Sequence, residues 1–296
     1  MKIYFPLYYK NFKCIAEKCH HSCCVGWDIS VDDVTLKKYE AMLDTSDILS
    51  NIRDGEICMR DDGRCPFLRD DGLCRLICEF GEDYTSEICQ RHPRFYHRVG
   101  DRVECGIGAS CEEACRLILS LNDFSKFFLL DDDCIPANET DFDSLSYRDD
   151  IFSLLCDESL NYREKTNIIK EKYRIPFDKN VTESLNRALK DIEFLEESHR
   201  DLFSLGANDY NYDNHVYYLR FLAYLIFRHV SIATSHDNLR ARLGFCLMLC
   251  SLLESVVARN GGSYSEIVDF ARIISEEIEY SEDNTASLIF EFECIV

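Results

Sequence analysis

A secretory leader is the first thing this chain does not show. The opening MKIYFPLYYKNFKC has no long apolar stretch and no small-residue cleavage site. No run along the sequence approaches the ~18 apolar residues of a membrane span. Basic charge is scarce as well: 33 Lys and Arg stand against 54 Asp and Glu, a net charge of −21. A surface of that sign repels a phosphate backbone, which argues against nucleic acid as a partner. It attracts lysine-rich protein surfaces, and it also keeps a chain soluble. Gly-rich alternation of strand and helix is missing, as are internal repeats, low-complexity tracts and any Ser/His/Asp or paired-carboxylate hydrolase arrangement. The expectation from these absences is a cytoplasmic protein with no membrane or nucleic-acid partner.

Cysteine is what the chain has in excess. Twelve of its 17 cysteines lie between Cys14 and Cys115, and the rest are Cys134, Cys156, Cys246, Cys250 and Cys294. The odd total and the length of 296 residues fit a disulfide-stapled mini-domain poorly. In a reducing compartment, clustered thiols are metal ligands or redox groups. The candidates are Cys14, Cys19, Cys23, Cys24, Cys58, Cys65, Cys74, Cys78, Cys89, Cys105, Cys111 and Cys115. Thiolates select zinc, Cu(I) or iron–sulfur clusters, and four suffice for a tetrahedral zinc or a cubane cluster. Twelve exceed one site, so either two sites exist or several cysteines are bystanders. The spacing is not that of a zinc ribbon, which needs two CxxC pairs. It is not the CxxxCxxC triplet of radical enzymes either. The pairs Cys19/Cys23, Cys74/Cys78 and Cys111/Cys115 have the first gap but meet Gly26, Gly81 and Ile118 at the third position.

Periodicity predicts a mainly α fold in two parts, a cysteine-rich metal-binding module at 1–120 packed on a helical domain at 121–296, with one compact unit as the alternative. Residues 1–28 read as an irregular opening. Ser30 with Asp33 reads as a capping-box start of a first helix, and Ser110 with Glu113 as the start of another that puts Cys111 in its first turn. A thiolate is favoured there by the helix dipole. Asp54-Gly55, Asp62-Gly63 and Asp71-Gly72 predict tight turns that bring Cys65 and Cys74 together. Short helices are predicted at Leu73–Phe80 and near Tyr84–Gln90. After an acidic connection formed by Asp131–Asp133 and Pro136–Asp143, helices are predicted at 147–157, 161–173, 182–204, 214–231, 237–258 and 264–279. The segments HVYYLRFLAYLIFRHV and FCLMLCSLLESVV are apolar almost all round, so both should be buried. Cys246 and Cys250 then belong to the core.

The segments FKCIAEKCHHSCCVGWDISVDD, DGRCPFLRDDGLC, ICQRHPR and ASCEEACRLIL resemble, in order and approximate spacing, the flagellin lysine N-methylase family. The later YYLRFLAYLIFRHV and RIISEEIEYSEDN resemble its helical part, although Tyr280 stands where the family more often has His. The resemblance implies a protein-lysine N-methyltransferase that acts on flagellin with S-adenosylmethionine. It implies a cysteine-bound metal group, an iron–sulfur cluster ([4Fe-4S]) with zinc as the alternative. Its pattern is met by Cys14, Cys19, Cys23, Cys24, Cys65, Cys74, Cys89 and Cys111, and by Gly26-Trp27 and Pro93-Arg94. Cys58, Cys78, Cys105 and Cys115 match no pattern cysteine. A reading from a different class is a non-catalytic iron–sulfur or zinc protein for electron transfer or partner docking.

Other residues carry two readings each. His20, His21 and His92 adjoin the cysteines and are either ligands or polar neighbours. Arg94 either holds a cofactor carboxylate near the cluster or pairs with surface acids. Val103–Ser110 superficially resembles a Rossmann glycine loop, but the preceding Gly-Asp-Arg-Val reads as a poor buried strand. Glu276, Glu277, Glu279 and Glu282 read as a solvated helix face, or else as an acidic patch that receives a lysine amine. The catalytic base is not identifiable from the residues.

Overall fold

The structure, a computed structural model, describes residues 2–42, 46–123, 127–131, 142–206 and 214–295. Helix dominates, as expected. In chain order the helices are α1 (Leu7–Asn11), α2 (Asp33–Ala41), α3 (Ser46–Leu49), α4 (Arg75–Phe80), α5 (Glu87–Arg91), α6 (Glu112–Ser120), α7 (Ser144–Leu155), α8 (Tyr162–Lys172), α9 (Lys179–Asp191), α10 (His215–His229), α11 (His236–Asn260), α12 (Tyr264–Ile274) and α13 (Glu282–Ile295). The strands are β1 (Lys2–Pro6), β2 (Ile52–Arg53), β3 (Glu56–Ile57), β4 (Arg94–Val99), β5 (Arg102–Ile107) and β6 (Phe127–Asp131). The chain divides into two units. A cysteine unit comprises Lys13–Phe95 and Cys111–Glu113, and a helical unit comprises Met1–Phe12, Tyr96–Ser110 and Ala114–Val296.

The cysteine unit is held by turns around a small core of Ile29, Val31, Tyr39, Ile48, Ile57, Phe67, Leu68 and Leu76. Asp54 and Gly55 both adopt positive φ, the conformation a two-residue hairpin turn demands, and β2 pairs with β3 across them. The first helix begins at Asp33, later than expected, because Asp32 rather than Ser30 caps it. The Asp32 carboxylate accepts the Thr35 N–H at 2.9 Å, while Ser30 bridges to Glu56 instead. The other Asp32 oxygen accepts the Glu87 N–H at 2.9 Å, so one carboxylate serves the starts of both α2 and α5. Desolvation raises its carboxyl, and these donors together outweigh it and hold the group down at about 2.

The helical unit is built on α10 and α11. Phe221–Phe227 of α10 and Leu243–Leu249 of α11 are buried without interruption, and Cys246 and Cys250 lie in that core as expected. One expectation needs correcting. By length and composition α11 does qualify as a membrane-crossing helix, although 83% of its apolar window is buried inside the protein. The Phe292 ring of α13 packs where a side chain at Gly244 would stand.

Several elements differ from the pattern-based expectation. The predicted helix at 182–204 breaks after Asp191. The Glu277 carboxylate accepts the N–H groups of Leu195 (2.6 Å) and Glu196 (3.1 Å), and this satisfies the backbone outside a helix. The predicted helix at 264–279 widens into a π-turn at Ser275–Glu279. A four-stranded sheet in the order β4-β5-β1-β6 replaces the irregular N-terminus and the poor strand. In it β1 runs parallel to β5, with Ile3 opposite Val103, and antiparallel to β6, with Ile3 opposite Leu130. The acidic connection thus begins with a strand; its remainder at 132–141, with Cys134, lies outside the described residues.

Candidate metal centre

Backbone pairing within the cysteine unit brings together cysteines far apart in sequence. The Gly26 N–H donates to the Gly63 carbonyl at 2.8 Å, Val25 bridges Arg64, and the Cys65 N–H donates to the Cys24 carbonyl at 2.8 Å. Leu68, three residues on, bridges Cys74, which stands at the start of α4. The turns therefore bring Cys65 and Cys74 together as the Asp-Gly signals anticipated, and the pairing with Cys24 is an addition from the structure. Cys89 comes from α5, where the Ser86 hydroxyl donates to its sulfur at 3.2 Å. These four are within electrostatic reach of one another. Burial pushes the Cys65 thiol up to about 12, and Cys24, Cys74 and Cys89 add to the rise. Partial burial raises Cys74 and Cys89 too, and Cys24 contributes to both. Cys24 goes the other way: the hydrogen bond from the Cys23 thiol draws it down to about 7 against its desolvation.

The other four pattern cysteines are Cys14, Cys19, Cys23 and Cys111. The Cys23 thiol is raised by that same hydrogen bond, and Cys111 and Cys14 lie among its charged neighbours. Cys111 also stands near Cys19, whose thiol burial pushes up to about 12. Glu112 ties this loop down. It accepts the N–H groups of His20 (2.7 Å) and His21 (3.2 Å), the Cys19 thiol (3.5 Å) and the His20 Nδ1 (3.0 Å). That hydrogen bond raises the pKa of exposed His20. The Cys14 sulfur accepts the Ala16 N–H at 3.4 Å. The capping box expected at Ser110 is not made. The Ser110 hydroxyl is buried with no partner among the described residues, and Cys111 precedes α6 instead of lying in its first turn. The sequence reading treated the acids after Cys111 as helix-capping residues and so missed the clamp made by Glu112.

Two of the remaining candidates, Cys105 and Cys115, belong to the helical unit. Cys105 is buried in β5, and the Cys115 sulfur lies 3.3 Å from the Val268 carbonyl, both within the helical unit. Cys78 sits one helical turn beyond Cys74. Burial, with Arg94 adding to it, presses His92 down to about 4, so its imidazole is neutral at physiological pH. Among the described residues, no three His, Cys, Asp or Glu side chains converge tightly enough to hold a single metal ion. Beside Cys65 and Cys74 in sequence, Arg60, Phe67, Leu68, Arg69, Asp70, Asp71 and Arg75 line an open groove of about 490 Å³. Arg69 pairs there with Asp71 at 2.6 Å, so both signs of charge face the opening.

The glutamates near the C-terminus are neither a solvated face nor a docking patch. Glu277 and Glu279 are buried and Glu276 nearly so, because each has partners inside the helical unit. Glu277 meets His199 at 2.6 Å. Glu279 accepts from the Tyr224 hydroxyl (3.0 Å), contacts His229 (2.7 Å) and lies 3.4 Å from Arg228. Glu282 alone of the four is exposed.

Three relatives are similar to this chain, each 30% identical over 128 residues. Two are lysine-N-methylases, from Salmonella choleraesuis and Salmonella typhimurium, and the third is the flagellar biosynthetic protein FliU of Salmonella muenchen. The matched segment is 39% of this chain, 75% of FliU and 32% of each lysine-N-methylase. The chain thus spans about a third of the length of the two lysine-N-methylases. No protein-family model matches the sequence, and no solved structure matches the chain.

Proposed function

The chain belongs to the flagellin lysine methylase family, and on that footing we propose that it transfers methyl groups from S-adenosylmethionine to lysine side chains of flagellin. The observation that carries this reading is its relationship to proteins named lysine-N-methylase and FliU. In such a transfer the lysine ammonium first gives its proton to a base or to water. The neutral nitrogen then attacks the sulfonium methyl in line: the N–C bond forms as the S–C bond breaks, and the electron pair leaves on sulfur as S-adenosylhomocysteine. Positioning and desolvation of the amine do most of this work, with no covalent enzyme intermediate.

The donors fit a cysteine-bound iron–sulfur cluster in kind, since cysteine sulfur is the soft donor that such a group takes. When bound, such a group supplies an electron reservoir or an iron site for an amino-acid end. The cysteines would hold it, and the arginine–aspartate groove offers both charges that an α-amino carboxylate needs. Calorimetry with S-adenosylhomocysteine tests the groove. Arg69→Ala is expected to weaken binding several-fold, and an unchanged affinity would move the amino-acid end elsewhere, with Arg94 the next residue to substitute.

Intact-protein mass spectrometry of the cognate flagellin tests the activity itself. With S-adenosylmethionine, a reductant and anaerobically prepared protein, flagellin should gain mass in steps of one methyl group. Unchanged flagellin under those conditions would leave a metal carrier as the better reading.

A further inference from the structure

We propose that Phe142, Tyr147, Tyr173 and His236 form, with Asp150, a surface site for a methylated ammonium group, and that its occupant is the methyl-lysine of the modified protein substrate. The identity of the occupant rests on the preceding reading. The site itself rests on ring geometry, a counter-charge and one orphaned hydroxyl.

Three helix ends of the helical unit contribute to it. Phe142 lies just before α7, Tyr147 and Asp150 lie three residues apart on one face of α7, Tyr173 follows α8, and His236 opens α11. The Phe142 and Tyr147 rings stack, with 5.5 Å between centroids and 8° between planes. His236 stands edge-on to both, at 5.0 and 5.3 Å and at 84° each. Tyr173 meets Tyr147 at a steep 68°, with centroids 6.5 Å apart. These rings reach solvent, since Phe142 and Tyr147 are half-buried and His236 is exposed. Aromatic rings attract cations through their faces, and methylated ammonium groups are the cations such clusters recognise.

The chain's own lysine shows that a cation is accepted here. The Lys172 ammonium lies 5.5 Å over the Tyr173 ring and 3.5 Å from the Asp150 carboxylate. Both side chains are largely exposed, at 52% and 65%, so that pair is held weakly and an incoming cation can displace Lys172. The Tyr173 hydroxyl is the second mark of a site. The residue is 8% exposed, and its hydroxyl is buried with no hydrogen-bond partner among the described residues. Buried hydroxyls are rarely left so. Burial raises this one to about 12, and Asp150 and Tyr147 add to the rise, so it stays protonated within electrostatic reach of both. A monomethylated lysine keeps two N–H groups and gains a methyl. It can give one N–H to the Asp150 carboxylate and the other to the Tyr173 oxygen, and lay its methyl on the rings. An unmodified lysine brings a more strongly hydrated ammonium and no methyl. The site therefore recognises the product of methyl transfer in preference to its substrate.

The test uses the full-length chain and two blocked Gly-Lys-Gly tripeptides, one unmodified and one with ε-N-monomethyl-lysine. Titration is followed through the nuclear magnetic resonance signals of the His236 and Tyr147 rings, with no S-adenosylmethionine, metal or turnover needed. The methylated tripeptide should bind roughly two- to fivefold tighter than the unmodified one. Asp150→Asn and Tyr147→Ala should each remove that preference. Lys172→Ala should tighten binding, because it removes the competing ammonium; a cluster that only packs would show no such gain. Asp150 and Lys172 are surface side chains, so their variants decide the matter even where Tyr147→Ala fails to fold. Equal affinity for the two tripeptides, or ring signals that do not move at saturation, would overturn the site. Selective binding by a chain that adds no methyl groups to flagellin keeps the site and overturns the reaction. Methyl transfer by a chain that binds both tripeptides alike keeps the reaction and overturns the site.

Discussion

At the scale of single residues, burial separates the core cysteines and the buried acids of the helical unit: Tyr224, Arg228 and His229 surround the Glu279 carboxylate. Cys246 and Cys250 were legible as core because they recur at helical spacing among apolar neighbours, and they are fully buried. Glu277 and Glu279 were misread because a run of glutamates on a helix looks solvated unless its partners are known. Those partners are His199, Tyr224, Arg228 and His229, all 50 or more residues away. Glu279 is held at about 2: burial works against its charge, and the Arg228 guanidinium and His229 more than offset that. Glu279→Gln removes the counter-charge and leaves Arg228 buried beside a neutral amide. Loss of one member of a buried pair costs about 3–5 kcal/mol. Chemical denaturation followed by circular dichroism should show a loss of that order, and a variant as stable as wild type would mean that the network is better solvated than its burial implies.

At the scale of elements, the apolar helices α10 and α11 could be read from their pattern, and so could the tight turns at Asp-Gly. The sheet could not. Strand β1 meets β5 across about a hundred residues, and β-propensity reflects a surface to pack on more than a local preference. The break after α9 was equally hidden, since it depends on a carboxylate from Ser275–Glu279 and on the charge of His199 beside it. The hydrogen bond to Glu277 raises the pKa of His199 above 6.5, burial opposes the rise, and Glu196 and Glu276 add to it. A raised histidine pKa gives stability that is complete below about 6.5, the unfolded value, and is lost as pH climbs through the higher folded value. The contribution of His199 to the helical unit should therefore fall as pH rises above about 6.5, giving the stability a downward slope from this residue. His199→Gln should flatten that slope, and a midpoint-versus-pH series in denaturant that keeps its slope in the variant would assign the titration to another group.

At the scale of the whole molecule, the family could be read from spaced cysteine motifs, whereas the backbone pairing that sets Cys65 beside Cys24 needed three dimensions. Charge acts at this scale as well. A net −21 steers a lysine-bearing partner over distances comparable to the screening length, ~8–10 Å at 0.1–0.15 M salt. If flagellin is captured this way, raising salt from about 50 mM to 500 mM should lower the association rate by an order of magnitude or more and change dissociation less. Stopped-flow fluorescence separates the two rates. An association rate indifferent to salt would place recognition in shape and apolar contact.

The division of the chain also bears on how the protein assembles. The segment that supplies β1 precedes the cysteine unit, and the segment that supplies β5 follows most of it, so the parallel pair is joined by a very long loop. Bringing the ends of a loose loop together costs entropy that grows slowly with length, roughly 0.6 kcal/mol for each doubling. A cysteine unit that has already folded turns most of that loop into a solid link. It then acts as a buckle on the polypeptide, and strand pairing in the helical unit is a late event that an earlier fold makes easier. On this account a cysteine unit slowed in its own folding should also slow completion of the sheet that β1 and β5 share.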